Sequence, residues 1–151
     1  MKKIILVILI CSSACAQEKS KEQLITSFIN EIIIKNNVDY NDWIKYIEIV
    51  ETKNQEEKDA IASILIEKIK ELNHALSENN NQFQIVSHNN LDKIDLVSNL
   101  KYENLSNVYY IICNKSIVAP IVIENNKIVS FFYGMTKHRD KSYPWLLNNK
   151  E

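Results

Sequence analysis

Between Val108 and Tyr133 the chain reads VYYIIC, then Asn-Lys, then SIVAPIVIE, then Asn-Asn, then KIVSFFY. Strand-length runs of β-branched and aromatic residues, parted by turn-type pairs, predict a three-strand antiparallel meander. Two-residue turns at Asn114-Lys115 and Asn125-Asn126 would make Ser116 and Glu124 hydrogen-bonded partners of their neighbours, so that both neighbours claim positions of one parity. A middle-strand residue cannot aim one N–H at both sides, and Pro120 has none to give. An extra residue must therefore enter as a bulge or bend at Ala119-Pro120, or one turn must be longer. The expected sheet curves. Because neighbouring strand residues face opposite sides, both of its faces are apolar and both need cover.

Cover for one face lies upstream. Ser20 with Gln23 has capping-box spacing, and Leu24, Ile25, Phe28, Ile29, Ile32 and Ile33 line one side of a helix expected to reach about Lys35. Asn36-Asn37 breaks it. Asp39 or Asn41 can cap a second helix carrying Trp43, Tyr46, Ile47 and Val50 at i, i+3, i+4 and i+7. Asn54 with Glu57 repeats the capping spacing ahead of a long third helix, striped by Ile61, Leu65, Ile69, Leu72 and Leu76 and ending near Glu78. Phe83, Ile85 and Val86 mark a short strand ending near His88, while Leu91 to Leu100 alternates too irregularly to predict more than a helical turn or two. After Gly134 come a charged tip with Lys137, His138, Arg139, Asp140 and Lys141, and an apolar return over 143–147, expected as a last strand or a tail clamped on the core. The expected fold class is α+β: three N-terminal helices packed on a curved antiparallel sheet of about four strands.

Composition removes several function classes. Twenty-four Ile, 19 Asn and 17 Lys stand against one Arg and one Gly, the bias an A/T-rich coding sequence imposes, so Asn pairs and Lys runs carry little functional weight. Phosphate-cradling loops need several glycines to bring backbone N–H groups onto an anion, and Gly134 alone cannot build one. The net charge is −1, without a basic arm, which argues against nucleic acid as a partner.

The N-terminus reads MKKIILVILICSSACAQEKS. Lys2 and Lys3, an apolar run from Ile4 to Ile10 and small residues around Cys15 have the charge, length and order of an export signal, whose core is too short to span a bilayer as a stable helix. Ser12-Ser13-Ala14-Cys15 resembles a bacterial lipobox, which implies cleavage before Cys15 and lipidation of its thiol. Ala14-Cys15-Ala16 resembles instead an A-x-A site, which would release a soluble chain from Gln17. The expectation is a signal peptide over 1–16 and a single domain over 17–151, exported to the periplasm or outer membrane as a lipoprotein, or otherwise secreted, with membrane contact through the lipid anchor only. Processing then leaves Cys113 as the one thiol, which excludes an intramolecular disulfide.

Candidate chemistry is sparse. Cys113 with His74, His88 or His138 could make a thiol nucleophile and base, but Cys113 ends an apolar strand run, where free cysteine usually packs as a small hydrophobe. The three histidines lack convergent ligand spacing; His74 and Glu78, at i, i+4 on one helix, supply at most half a metal site. Carboxylate pairs such as Glu56 with Glu57, or Asp92 with Asp95, suit a helix surface. No catalytic residue, metal or cofactor is assigned. The functional reach lies in the aromatic strands: His88, Tyr109, Tyr110, Phe131, Phe132 and Tyr133 are the candidates for a pocket or an interface on the sheet face the helices leave open.

The whole chain resembles small exported bacterial lipoprotein-type proteins, and helices followed by a curved meander are similar in element order to NTF2-like, or cystatin-like, folds. Size, address and the absence of catalytic signals lead to the expectation of a non-enzymatic protein-interaction module at the envelope, immunity- or inhibitor-like in one form, whose partner is another protein or a second copy. The second resemblance implies the alternative, a small-molecule-binding or weakly catalytic pocket, and element order alone transfers no function.

Overall fold

The apolar stripe of the first helix, α1, holds to its period. In the computed structural model, which describes residues 18–134 and 142–148, α1 covers 18–28 and continues as a π-helical turn, Ile29–Ile34. Ile25, Phe28, Ile29, Ile32 and Ile33 are all fully buried. The helix stops at Lys35 as expected, with Asn36 in the left-handed region (φ 48°). Ser20 is not its cap: helix is already formed at residue 18. Asn73, reaching across from a later helix, donates its side-chain amide to the carbonyls of Ile33 (2.8 Å) and Ile34 (3.2 Å) in the last turn of α1.

Helix α2 is a single turn, Tyr40–Trp43, started by Asp39, whose carboxylate accepts from Asn41 N. The longer helix expected through Val50 does not form. Ile128 N donates to Tyr46 O (2.9 Å) and Glu48 N to Ile128 O (3.0 Å), so from Tyr46 O onward the backbone bonds to the sheet edge instead of continuing the helix. Helix α3 spans Gln55–Ser77; Asn54 caps it by accepting from Glu57 N at 2.9 Å, while Glu57 reaches back to Lys53 N rather than to the cap's own amide. Leu65, Ile69, Leu72 and Leu76 are buried along one stripe.

The sheet comprises β1 (Gln84–Ser87), β2 (Val108–Cys113), β3 (Ser116–Glu124) and β4 (Lys127–Ser130), antiparallel and open, in the order β1-β2-β3-β4. Both turns have two residues, with Asn114, Lys115, Asn125 and Asn126 at φ between 48° and 62°, the type I′ geometry that matches strand twist. The parity conflict is resolved by insertion. Ile112 pairs with Ile117 but Ile111 with Ala119, which leaves Val118 as the extra residue of a bulge. This corrects the expected position by one residue: Pro120 stays in register opposite Tyr110. A second bulge falls at Val129, between the pairs Ile123↔Ile128 and Val122↔Ser130. The β4 ladder ends there, two residues short of Pro120, so the proline need leave none of its bonds unmade.

Each face has its own cover. Tyr109, Ile111, Cys113, Ala119, Ile121, Ile123, Ile128 and Phe131 form one core with the three helices. Val108, Tyr110, Ile112, Val122 and Val129 face the other way, under a strap of residues 88–107 that buries Leu91 and Leu100. The strap opens as a 3₁₀ helix, His88–Ile94, and closes with a 3₁₀ turn, Leu105–Asn107. The tail clamps the edge: Leu147 N donates to Val129 O (2.7 Å), and Pro144 bridges Tyr133. Gly134 suits the close approach here, since a Cβ would lie 3.3 Å from Tyr143 O, tighter than an ordinary contact.

Candidate functional site

The six aromatic and histidine candidates separate into two environments rather than forming one site. Tyr109 and Phe131 belong to the helix-side core. Phe131 meets Phe28 edge-on, with ring centres 5.3 Å apart, and Phe132 continues the row to Trp145 at 5.2 Å, with Lys68 above its ring. Burial pushes the Tyr109 phenol up to about 12, with the carboxylates of Glu18 and Glu22 adding to the shift.

His88, Tyr110 and Tyr133 come together on the strap side. His88 Nδ1 lies 3.0 Å from the Tyr110 hydroxyl. Burial raises the Tyr110 phenol, and a hydrogen bond with Ser98 partly offsets it; burial also raises Tyr133, with Tyr110 adding to the shift and Ser98 again opposing it. The arrangement is a small polar knot of two phenols, a hydroxyl and an imidazole inside an apolar layer. Within it the His88–Tyr110 pair has direct hydrogen-bond geometry, and Ser98 Oγ also accepts from Leu100 N at 3.1 Å. Periodicity could not reveal Ser98, which sits in the irregular strap.

The other chemical candidates also find places. Cys113 is buried, and burial raises its thiol, opposite to the shift a nucleophile needs. His74 Nε2 stands 3.4 Å from Glu78 Oε1 on the solvent side of α3, both groups largely exposed. Among the described residues no cluster of three or more His, Cys, Asp or Glu side chains could hold a metal ion, and no helix is long and apolar enough to cross a membrane. Cys15, the signal segment, His138 and the charged tip lie outside the described residues.

Three grooves open on the surface of the described residues. The groove between strap and tail, about 620 Å³, is lined by Lys101, Tyr102, Glu103, Glu124, Tyr143, Pro144 and Leu146. Tyr102 donates its hydroxyl to Glu124 Oε1, and burial together with that carboxylate drives its phenol well above the ordinary range. Asn148 Nδ2 approaches the other carboxylate oxygen at 3.4 Å, so strap, strand and tail converge on Glu124. No sequence signal pairs Tyr102 with Glu124. A second groove, about 560 Å³, lies beside Phe83, Ile94, Leu96 and Ile112, and a smaller one of about 230 Å³ runs past Lys68 and Phe132. Neither His88 nor Tyr110 lines any of the three.

Compared with known proteins, the chain matches no family model, no curated protein and no solved structure.

Proposed function

We propose that the chain is exported and held at the bacterial envelope through a lipid on Cys15, where it binds another protein and catalyses no reaction. The observation that carries the reading is the order of the first residues: Lys2 and Lys3, the apolar run to Ile10, then Ser-Ser-Ala-Cys15. The surface best suited to a partner is the groove between strap and tail. It combines two tyrosines, a proline and a leucine with charged rim residues, the mixture that protein interfaces favour. The candidate polar groups His88 and Tyr110 are bonded to each other beneath the strap, which favours this reading over a small-molecule pocket.

Two measurements test it. Cys15→Ser should move the protein from the membrane to the soluble fraction, and unchanged partitioning would remove the anchor from the reading. A photo-crosslinking residue at Tyr143 should give a discrete adduct in intact cells, whereas the same residue at His74, on the solvent side of α3, should give none. Equal labelling at both positions, or none at Tyr143, would rule out the groove.

A further inference from the structure

The two edges of the sheet differ. The β4 edge is closed: Ile128 bonds to Tyr46 and Glu48, and Val129 O accepts from Leu147 N. The β1 edge is open, since among the described residues no backbone hydrogen bond from another element reaches its outer side. Which of its groups point outward follows from the β2–β3 turn. Cys113 and Ser116 flank two turn residues and bond to each other, so Ile112 and Tyr110 aim their N–H and C=O groups at β1. Their partners Gln84 and Val86 are thereby satisfied, and the flanking Phe83 and Ile85 turn theirs outward. Sheet edges are ordinarily guarded by charge, proline or a bulge. From Asn79 to Leu91 the chain carries no Lys, Arg, Asp, Glu or Pro, although 25% of all residues are charged, and the β1–β2 register runs without a bulge.

We propose that this edge pairs with the same edge of a second copy, joining two sheets into one across a two-fold axis. Ser87 is buried and its hydroxyl accepts from Asn90 Nδ2 at 2.9 Å, so the accessible stretch is centred on the exposed Gln84. An antiparallel two-fold at Gln84 sets Phe83 against Ile85 of the second copy and Ile85 against its Phe83, each pair exchanging both N–H···O bonds. The stretch is thus its own complement, in register and in charge. Gln84 faces its counterpart in the closer, non-hydrogen-bonded position, where the Cα atoms of antiparallel strands lie about 4.5 Å apart. On the same face Gln82 meets Val86 of the second copy at the mouth of the groove of about 560 Å³ beside Phe83, Ile94, Leu96 and Ile112, which buries apolar surface beyond the ladder itself. This pairing does not depend on a lipid on Cys15.

The test places a thiol on the axis. In cells producing the full chain under mild oxidation, Gln84→Cys should give a disulfide-linked species of twice the monomer mass, because Cα atoms at that separation suit a disulfide. His74→Cys, on the exposed side of α3, should give none, and neither should the unsubstituted chain, whose Cys113 is buried. Equal yields at positions 84 and 74, or no linked species at 84, overturn the pairing. A Gln84→Cys adduct of any other mass gives the edge to a different protein and overturns it too. A second arm needs no trapped bond: the protein purified from the same cells should sediment as a dimer that dissociates on dilution. Gln84→Lys, which sets like charges opposite each other on an exposed position, should raise the concentration for half-association by about tenfold. A chain that is monomeric at every concentration, or a dimer that Gln84→Lys leaves unchanged, overturns the proposal.

Discussion

On one side of the sheet, Phe28, Ile32, Leu65, Ile69 and Leu76 from two helices meet Ile111, Ile121 and Phe131, and every one of these side chains is essentially fully buried. On the other, Val108, Tyr110 and Val129 meet Leu91 and Leu100, while Val86, Leu96, Tyr102, Leu105, Tyr133 and Leu146 remain only partly covered. The helix side is held by repeated apolar contact between regular elements. The strap side is held by fewer buried side chains and by specific bonds, His88 to Tyr110 and Tyr102 to Glu124. A face covered by a segment with little internal hydrogen bonding is the more easily opened, so the strap is where low-energy fluctuations should concentrate.

The largest effect should come from the helix side. Phe28→Ala removes a ring that contacts both Phe131 and Tyr46, and should cost about 3–5 kcal/mol, read as a fall in the urea midpoint. On the strap side, Tyr110→Phe keeps the ring but deletes the hydroxyl facing His88 and Ser98, and should cost about 1–2 kcal/mol. If the two variants lose equal stability, the contrast between the faces is wrong.

Alkaline titration sharpens the same contrast. Tyr110 is raised in the folded state by burial, so the stability it contributes is complete below the ordinary phenol value and is lost as pH rises through the raised one. Above about pH 10 the unfolded chain releases this proton first, and each such phenol steepens the loss by at most about 1.4 kcal/mol per pH unit. Tyr102, Tyr110 and Tyr133 belong to the strap side and Tyr109 to the helix side, so most of the alkaline sensitivity should lie with the strap. Tyr110→Phe should flatten the fall in urea midpoint above pH 10 by one phenol's share. An unchanged slope would mean that the strap has already opened at that pH.

The same division governs what the sequence revealed. The stripe of α1, the Asn54 cap and the two I′ turns depend on residues close together in the chain, and they were legible. So was the need for an extra residue in β3, because turn parity is a local rule; its place at Val118 rather than Ala119-Pro120 was not. The shortness of α2 escaped detection because the bonds that end it come from Ile128, far along the chain. In the candidate site, periodicity exposed the aromatic strands but not their separation onto two covers. Ser98, Tyr102 and Asn73 act through partners across the fold, and no spacing announces such pairs.

A third surface provides the smallest effect and the control for the comparison. His74 and Glu78 lie on the solvent side of α3, with side chains 76% and 65% exposed, so their pair acts in water and is screened by salt. His74→Ala should therefore change stability by less than about 0.5 kcal/mol, at low or high ionic strength, in the same urea experiment. A loss above about 1 kcal/mol would exceed what an exposed pair can supply. It would mean that the outer side of α3 is also covered in solution, by a second copy of the chain. The two sheet faces would then no longer account for the burial that holds the protein together, and the midpoint should rise with protein concentration.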